Sequence, residues 1–258
     1  MNLTMLNNFS GFSHEIIIFM LILLRTSIFV SMVPVIGSKQ LPMQFRMGFA
    51  VSMALLLTTV VKFDITEANV PIIVLREMFM GLALGFTVKV VFMAVDMAGS
   101  LISHMIGMSI ATVFNPEMGQ TSQISEMYGI IAMLYFLVMD AHHDLIYVFV
   151  KSFELLPAGQ ANIMALVPQI LAMGKTFFVL ALKISAPIVV CLMISHVLSG
   201  FLYKAAPQMN IFFVTLPLNI FLGFLLMITG LPILQYVLGM IFGGIREDMI
   251  RIIMTAKG

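Results

Sequence analysis

Residues 70–95 read Val70-Pro-Ile-Ile-Val-Leu-Arg-Glu-Met-Phe-Met-Gly-Leu-Ala-Leu-Gly-Phe-Thr-Val-Lys-Val-Val-Phe-Met-Ala-Val95. The segment is longer than the roughly 18 apolar residues that mark a spanning helix. Its only charges are Arg76, Glu77 and Lys89. Glu77, Gly81, Gly85 and Lys89 recur at every fourth position, so on a helix they form one gently drifting stripe. Gly81 and Gly85 make a small-xxx-small surface on which another helix can approach closely, with Glu77 and Lys89 flanking it. The stripe predicts a packing seam, either within the chain or with another subunit. Gly239 and Gly243 repeat the spacing.

The same apolar character extends over approximately 9–36, 47–61, 97–113, 127–150, 163–203 and 211–244. The chain has 258 residues, 61% hydrophobic and 10% charged, with a mean hydropathy of +1.10. A soluble domain of this length needs a charged surface that this composition cannot supply. Helices satisfy their own backbone polar groups in lipid, so the expected fold class is all-α and membrane-associated. A net charge of +1 without a basic stripe argues against nucleic acid as a partner. Cys191 is the single cysteine and excludes an intramolecular disulfide framework. Residues 1–9 lack the basic n-region of a cleavable signal, so the first apolar segment is expected to be retained.

There is no Trp, only 5 Tyr and as many as 25 Met. The aromatic belt is therefore thin, while flexible, polarizable methionines suit irregular contacts. This composition fits helices that pack against other chains, or plain compositional drift. The stretches 163–203 and 211–244 are too long for single upright spans. Pro168, Gly174 and Pro187 in the first, and Pro217, Gly230 and Pro232 in the second, predict bends or division into hairpins. Broken helices at membrane depth require a covering of protein or a water-filled cavity, which favours an assembly or a pore. Lys39 and Arg46, and the C-terminal Arg246, Arg251 and Lys257 against Glu247 and Asp248, lean towards the cytoplasm.

Arg25, Arg76, Glu77, Lys89, Asp96 and Lys183 lie within or beside apolar runs. Charges at membrane depth face protein or water, as structural ion pairs or as a proton relay. No paired carboxylates stand at relay spacing, and Lys183 has the reach to snorkel. His142-His143-Asp144 has the composition of a metal motif, but adjacent histidines point different ways on a helix, whereas zinc sites use closely spaced ligands or a His-x-x-x-His pair. A solvated turn is the expectation, and no metal or cofactor is assigned. Ser195-His196 and Ser199-Gly200 lack the Gly-x-Ser-x-Gly nucleophile pattern, and no Gly-rich phosphate loop is present. No catalytic residue is assigned, and the chain is not expected to be an enzyme.

Two polar intervals remain. In Phe114-Asn-Pro-Glu-Met-Gly-Gln-Thr-Ser-Gln-Ile-Ser-Glu126, Asn115-Pro116 breaks a helix and Gly119 to Gln123 make a poor lipid-facing surface. Ile124 restarts a helix, with Ser122 or Thr121 as N-cap and Ser125 or Glu126 in its first turn. From its residues alone this interval reads as a loop in water, ahead of a segment folded back into a pore. The other interval is Lys204-Ala-Ala-Pro-Gln-Met-Asn210, followed by Pro217. Pro207 favours a turn and Gln208 both donates and accepts, so a turn between two long helical segments is predicted there.

Met80-Gly-Leu-Ala-Leu-Gly-Phe86, Ala98-Gly99 and Gly107-Met-Ser-Ile-Ala-Thr112 leading to Asn115-Pro116 together resemble the flagellar biosynthetic protein FliR family. Lys204-Ala-Ala-Pro-Gln-Met-Asn-Ile-Phe212, with Pro217 and Gly223, is similar to that family's C-terminal signature. Arg25, Pro34, Gly37, Pro42 and Arg46 fit its N-terminal pattern. The match covers essentially the whole chain in order. Lys204 stands where the family commonly has Arg, losing a planar fork of donors. Asn115 stands where Asp often precedes the proline, and His196 where Asp or Asn is common.

The resemblance implies a one-copy core subunit of the flagellar type III export gate, in the bacterial inner membrane and the flagellar basal body. Implied partners are FliP and FliQ homologues, FlhB-type and FlhA-type export proteins, unfolded protein substrates and membrane lipid. The implied fold joins a FliP-like part, about residues 1–160, to a FliQ-like C-terminal hairpin, about 161–258, within a helical cone around a secretion pore. The loop Ile110–Ser122 is implied to project into that pore as a plug. Ile110, Val113 and Phe114 suit packing on a pore wall, while Pro116 and Gly119 prevent a rigid helix. Met118 adapts to an irregular lumen, the polar Gln120, Thr121 and Ser122 suit trapped water, and Asn115 and Glu117 belong to the same implied plug. Glu77, Gly81, Gly85, Lys89, Lys204, Pro207, Gln208 and Pro217 are the expected helix-packing or subunit-interface positions. Alternatives are the injectisome homologue and a small-solute transporter with broken helices.

Overall fold

The computed structural model describes residues 3–34, 37, 41–61, 70–108, 122–208 and 210–258. Among them run seven helices and no strand: α1 (Leu3–Met32), α2 (Met43–Val60), α3 (Val70–Ile106), α4 (Gln123–Val138), α5 (Ala141–Leu155), α6 (Ile163–Ala205) and α7 (Ile211–Lys257). Five segments are long and apolar enough to cross a membrane: Glu15–Met32, Met43–Val60, Val70–Ile106, Ile163–Ala205 and Phe213–Lys257. The chain is an all-α membrane protein, as its composition predicts.

The helix ends follow local chemistry. Pro42 precedes α2 with φ −55° and ψ 144°, the extended residue a helix start requires. α3 closes at Gly107, whose φ of 91° is left-handed. There Met108 N donates to Ser103 O at 3.2 Å and Gly107 N to His104 O at 3.1 Å, the paired bonds of a Schellman ending that glycine enters without a Cβ penalty. Ser122 caps α4, its Oγ accepting from Ile124 N at 3.2 Å. Asp140, which precedes α5, is the one described non-glycine residue with positive φ.

The helix boundaries differ from the apolar stretches in three ways. The stretches 70–95 and 97–113 are not separate helices, because α3 runs unbroken through Asp96 to Ile106. A lone exposed carboxylate removes no backbone bond, so Asp96 does not act as a breaker. Conversely, the stretch 127–150 divides at Met139-Asp140 into α4 and α5. Finally, Pro168, Pro187, Pro217 and Pro232 divide neither long stretch. α6 is one helix of 43 residues and α7 one of 47. Each proline deletes a single i→i−4 donor, at about 3 kcal/mol in water, but the remaining backbone groups find no alternative partner in an apolar setting.

The chain falls into two compact units, residues 1–89, 140–174 and 244–258, and residues 90–139 and 175–243. In the first, α5 buries Ala141, Leu145, Val148, Phe149, Ser152 and Phe153, the i, i+4, i+7, i+8 face of an amphipathic helix. Phe29 of α1 stacks on Phe149 with centroids 4.2 Å apart. In the second, α4 buries Ile124, Ser125, Tyr128, Ala132 and Phe136. Phe92, Phe136 and Phe242 form a triangle with centroid separations of 5.6, 5.9 and 5.2 Å. Here α6 and α7 run antiparallel. Leu180 and Ala181 cluster with Ile241, Ile188 lies beside Gly230 and Ser195 meets Asn219, so contacts advance along one helix as they retreat along the other.

Candidate functional site

Residues 109–121, and with them the expected plug positions Ile110 to Thr121, lie outside the described residues. The ends of that interval are described, and both belong to the second unit. α3 and α4 meet at backbone contact: a Cβ on Gly99 would fall 2.6 Å from Ser125 Cα. Ser125 Oγ donates to Asp96 O at 3.0 Å across the same contact. The end of α3 is held from two other helices. Gly223 of α7 packs directly on the Ile106 side chain. His196 Nε2 of α6 lies 2.8 Å from Met105 O, so the imidazole satisfies one of the last carbonyls of α3. Next to it, Ser195 Oγ donates to Asn219 Oδ1 at 2.8 Å, and Ser199 Oγ donates to Ser195 O at 2.8 Å. The interval thus leaves a capped helix and returns to a capped helix, both fastened to one frame.

That geometry also answers the question of a serine nucleophile. The Ser195 proton goes to Asn219 on α7, while His196 is directed at α3. The two neighbours do not form a nucleophile–base pair.

The first unit contains a buried charge network. Arg25 and Glu77 are both fully buried and form a bidentate pair, Nε to Oε2 at 2.7 Å and Nη2 to Oε1 at 2.9 Å. Such a fork is the strong form of this interaction. Arg25 also donates to Ser152 Oγ at 3.3 Å and to Leu156 O at 3.4 Å, and its guanidinium lies 4.2 Å over the Phe153 ring. Glu77 Oε1 accepts from Gly159 N at 2.9 Å, and Arg76 donates to Gly159 O. Two consecutive residues of α3 therefore grip both polar groups of Gly159, whose φ is 84°. Of the two readings for these charges, the geometry matches structural ion pairing.

The glycine stripe meets α1 of the same chain. A Cβ on Gly81 would lie 2.9 Å from Arg25 O, and one on Gly85 2.6 Å from Met32 Cβ. Lys89 is half-buried, while Asp96, Lys183, Lys204, Pro207, Gln208 and Pro217 are exposed on the single chain. Residues 206–210 connect α6 to α7. Gly239 lies against Tyr135, whereas no described residue stands close to Gly243. Asp144 faces Arg246 at 3.8 Å. Sequence reasoning gave no pairing for Arg25, no role for Gly159 and no Ser195–Asn219 bond. Only Gly99, small and beside Ala98, carried a visible signal of close approach.

A family model described as bacterial export proteins, family 1, matches residues 16–245. The chain is 29% identical over 244 residues to the flagellar biosynthetic protein FliR of Bacillus subtilis, covering 90% of this chain and 92% of that relative. It is 28% identical to FliR of Escherichia coli, covering 82% and 83%. It is 27% identical over 146 residues to the secretion system apparatus protein SsaT of Salmonella typhimurium, covering 55% and 56%.

Proposed function

The chain belongs to the bacterial export proteins, family 1, and from that premise we propose that it is a core subunit of a flagellar type III protein export gate in the bacterial inner membrane. In this reading it is a membrane component of a type III secretion apparatus that conducts unfolded flagellar substrates and performs no chemistry itself. FliP and FliQ homologues are its closest partners, with FlhB-type and FlhA-type proteins beside them. Residues 1–160 correspond to the FliP-like part and 161–258 to the FliQ-like hairpin. The plug is Ile110–Ser122.

The observation that carries the plug reading is the frame around its two ends. A segment that must fill a pore at rest and leave it during transport needs fixed anchors and a length of chain between them. Gly99 against Ser125, Gly107 under its Schellman closure and Ser122 as N-cap supply the anchors. The exposed faces of α6 and α7 are rich in large apolar side chains, such as Phe178, Leu182, Phe201, Phe213 and Phe221. They support burial against lipid or other subunits.

The test is affinity purification of the chain from membranes, together with complementation of a deletion strain. Co-purification of FliP and FliQ homologues with restored motility and flagellar export is expected. A chain that purifies without them and transports a small solute on its own would replace this reading with a transporter. The match to SsaT keeps the injectisome apparatus as the second reading; neighbouring needle and effector genes, instead of flagellar ones, would favour it.

A further inference from the structure

We infer that Asp140, His142 and His143 form a divalent-cation site of the zinc class at the start of α5. On a regular helix, neighbouring histidines diverge. In the first turn of α5 they do not: their ring centroids are 4.1 Å apart and the rings are tilted by 38°. The third donor is also not the Asp144 of the sequence motif, which faces Arg246. It is Asp140, which enters the helix in the left-handed conformation with φ 55° and ψ 18°.

Aspartate before a helix ordinarily accepts from the N–H groups of the first turn. Asp140 makes no such side-chain bond. Its carboxylate is instead turned to His143, with Oδ1 3.4 Å from Nδ1. In a tetrahedral site with metal–ligand lengths near 2.0–2.2 Å, donor atoms stand about 3.4 Å apart. The Asp140–His143 pair therefore already has the separation that a shared zinc ion requires. The donor atoms of all three residues lie within 4.8 Å of one another. His142, half-buried beside two exposed partners, is the third donor of the group.

Two imidazoles and one carboxylate are a donor set that zinc accepts with a fourth position left open. Cobalt takes the same ligands and serves as a visible probe. The positive end of a helix opposes a cation, so binding rests on the three side-chain donors. A bound ion would pin the residue preceding α5 to the first turn of that helix.

The experiment uses the full chain without a polyhistidine tag, purified in detergent and titrated with Co²⁺ while visible d–d absorption is recorded, then with Zn²⁺ as competitor. One equivalent of Co²⁺ should bind and be displaced by Zn²⁺. Loss of a ligand should weaken binding by more than the roughly tenfold that loss of an outer-shell partner costs. His143→Ala and Asp140→Asn should both show this, whereas His104→Ala and His196→Ala should bind as the parent does. His143→Cys keeps a donor and should retain binding, which separates lost ligation from lost folding. No saturable signal overturns the assignment. So does a signal that survives Asp140→Asn and His143→Ala, or one that disappears with His104→Ala or His196→Ala.

Discussion

The two units bury polar groups of different kinds. In the first, the buried set includes a full charge pair, Arg25 with Glu77. In the second, the described buried polar residues are neutral: Ser103, Ser125, Ser185, Ser195, Ser199 and Asn219. Breaking a buried ion pair from one side costs about 3–5 kcal/mol, because the survivor is left charged and unpaired. Losing one neutral hydrogen bond costs about 1 kcal/mol. The first unit is therefore locked to one arrangement of α1, α3, α5 and the Gly159 turn. The second is assembled from close backbone approaches and bonds that are individually cheap to exchange.

The largest effect should come from breaking the charge network on one side. Glu77→Ala is expected to destabilise the chain in detergent by about 3–5 kcal/mol, measured by denaturant unfolding. The double variant Arg25→Met with Glu77→Leu should be milder than either single change, since it leaves no orphan charge. A double variant as damaged as the sum of the singles would remove the contrast between the units.

Gly81→Leu should approach the same loss, because its added side chain drives into the backbone that carries Arg25. Gly99→Leu overpacks the α3–α4 contact without touching a charge, and about 1–3 kcal/mol is expected. Equal losses at the two glycines would show that the ion pair adds nothing to its seam.

Ser195→Ala is smaller still, about 1–2 kcal/mol, from leaving Asn219 Oδ1 without its donor. The smallest effect on the isolated chain is expected at Gln208, exposed in the α6–α7 connection. Gln208→Ala should change unfolding by less than about 0.5 kcal/mol, yet impair motility and export more than Lys257→Ala. Matching, negligible effects on export would mark the connection as a plain loop.

Much of the fold is legible in the sequence because the apolar runs are long and the turn residues few. The start of α4 at Ser122, the connection after Lys204 and the closely packing face of Gly81 and Gly85 all follow from local chemistry. The prolines do not divide the long helices, since a helix in an apolar environment tolerates them better than rules drawn from water suggest. Arg25 with Glu77 was out of reach for another reason. Each is recognisable as a costly charge, but their meeting depends on how α1 lies on α3, and helix spacing within either one does not contain that information. The first turn of α5 brings His142 and His143 together, which an expectation drawn from regular helix spacing does not contain.

The most direct measurement concerns the interval between Gly107 and Ser122. Residues 110–121 are shortened, the variant is expressed with its partner subunits, and membrane leak of ions or a small dye is recorded beside a pull-down of the complex. A plug predicts an intact complex with raised permeability at rest. An intact complex with no added leak would contradict a plug formed by this loop.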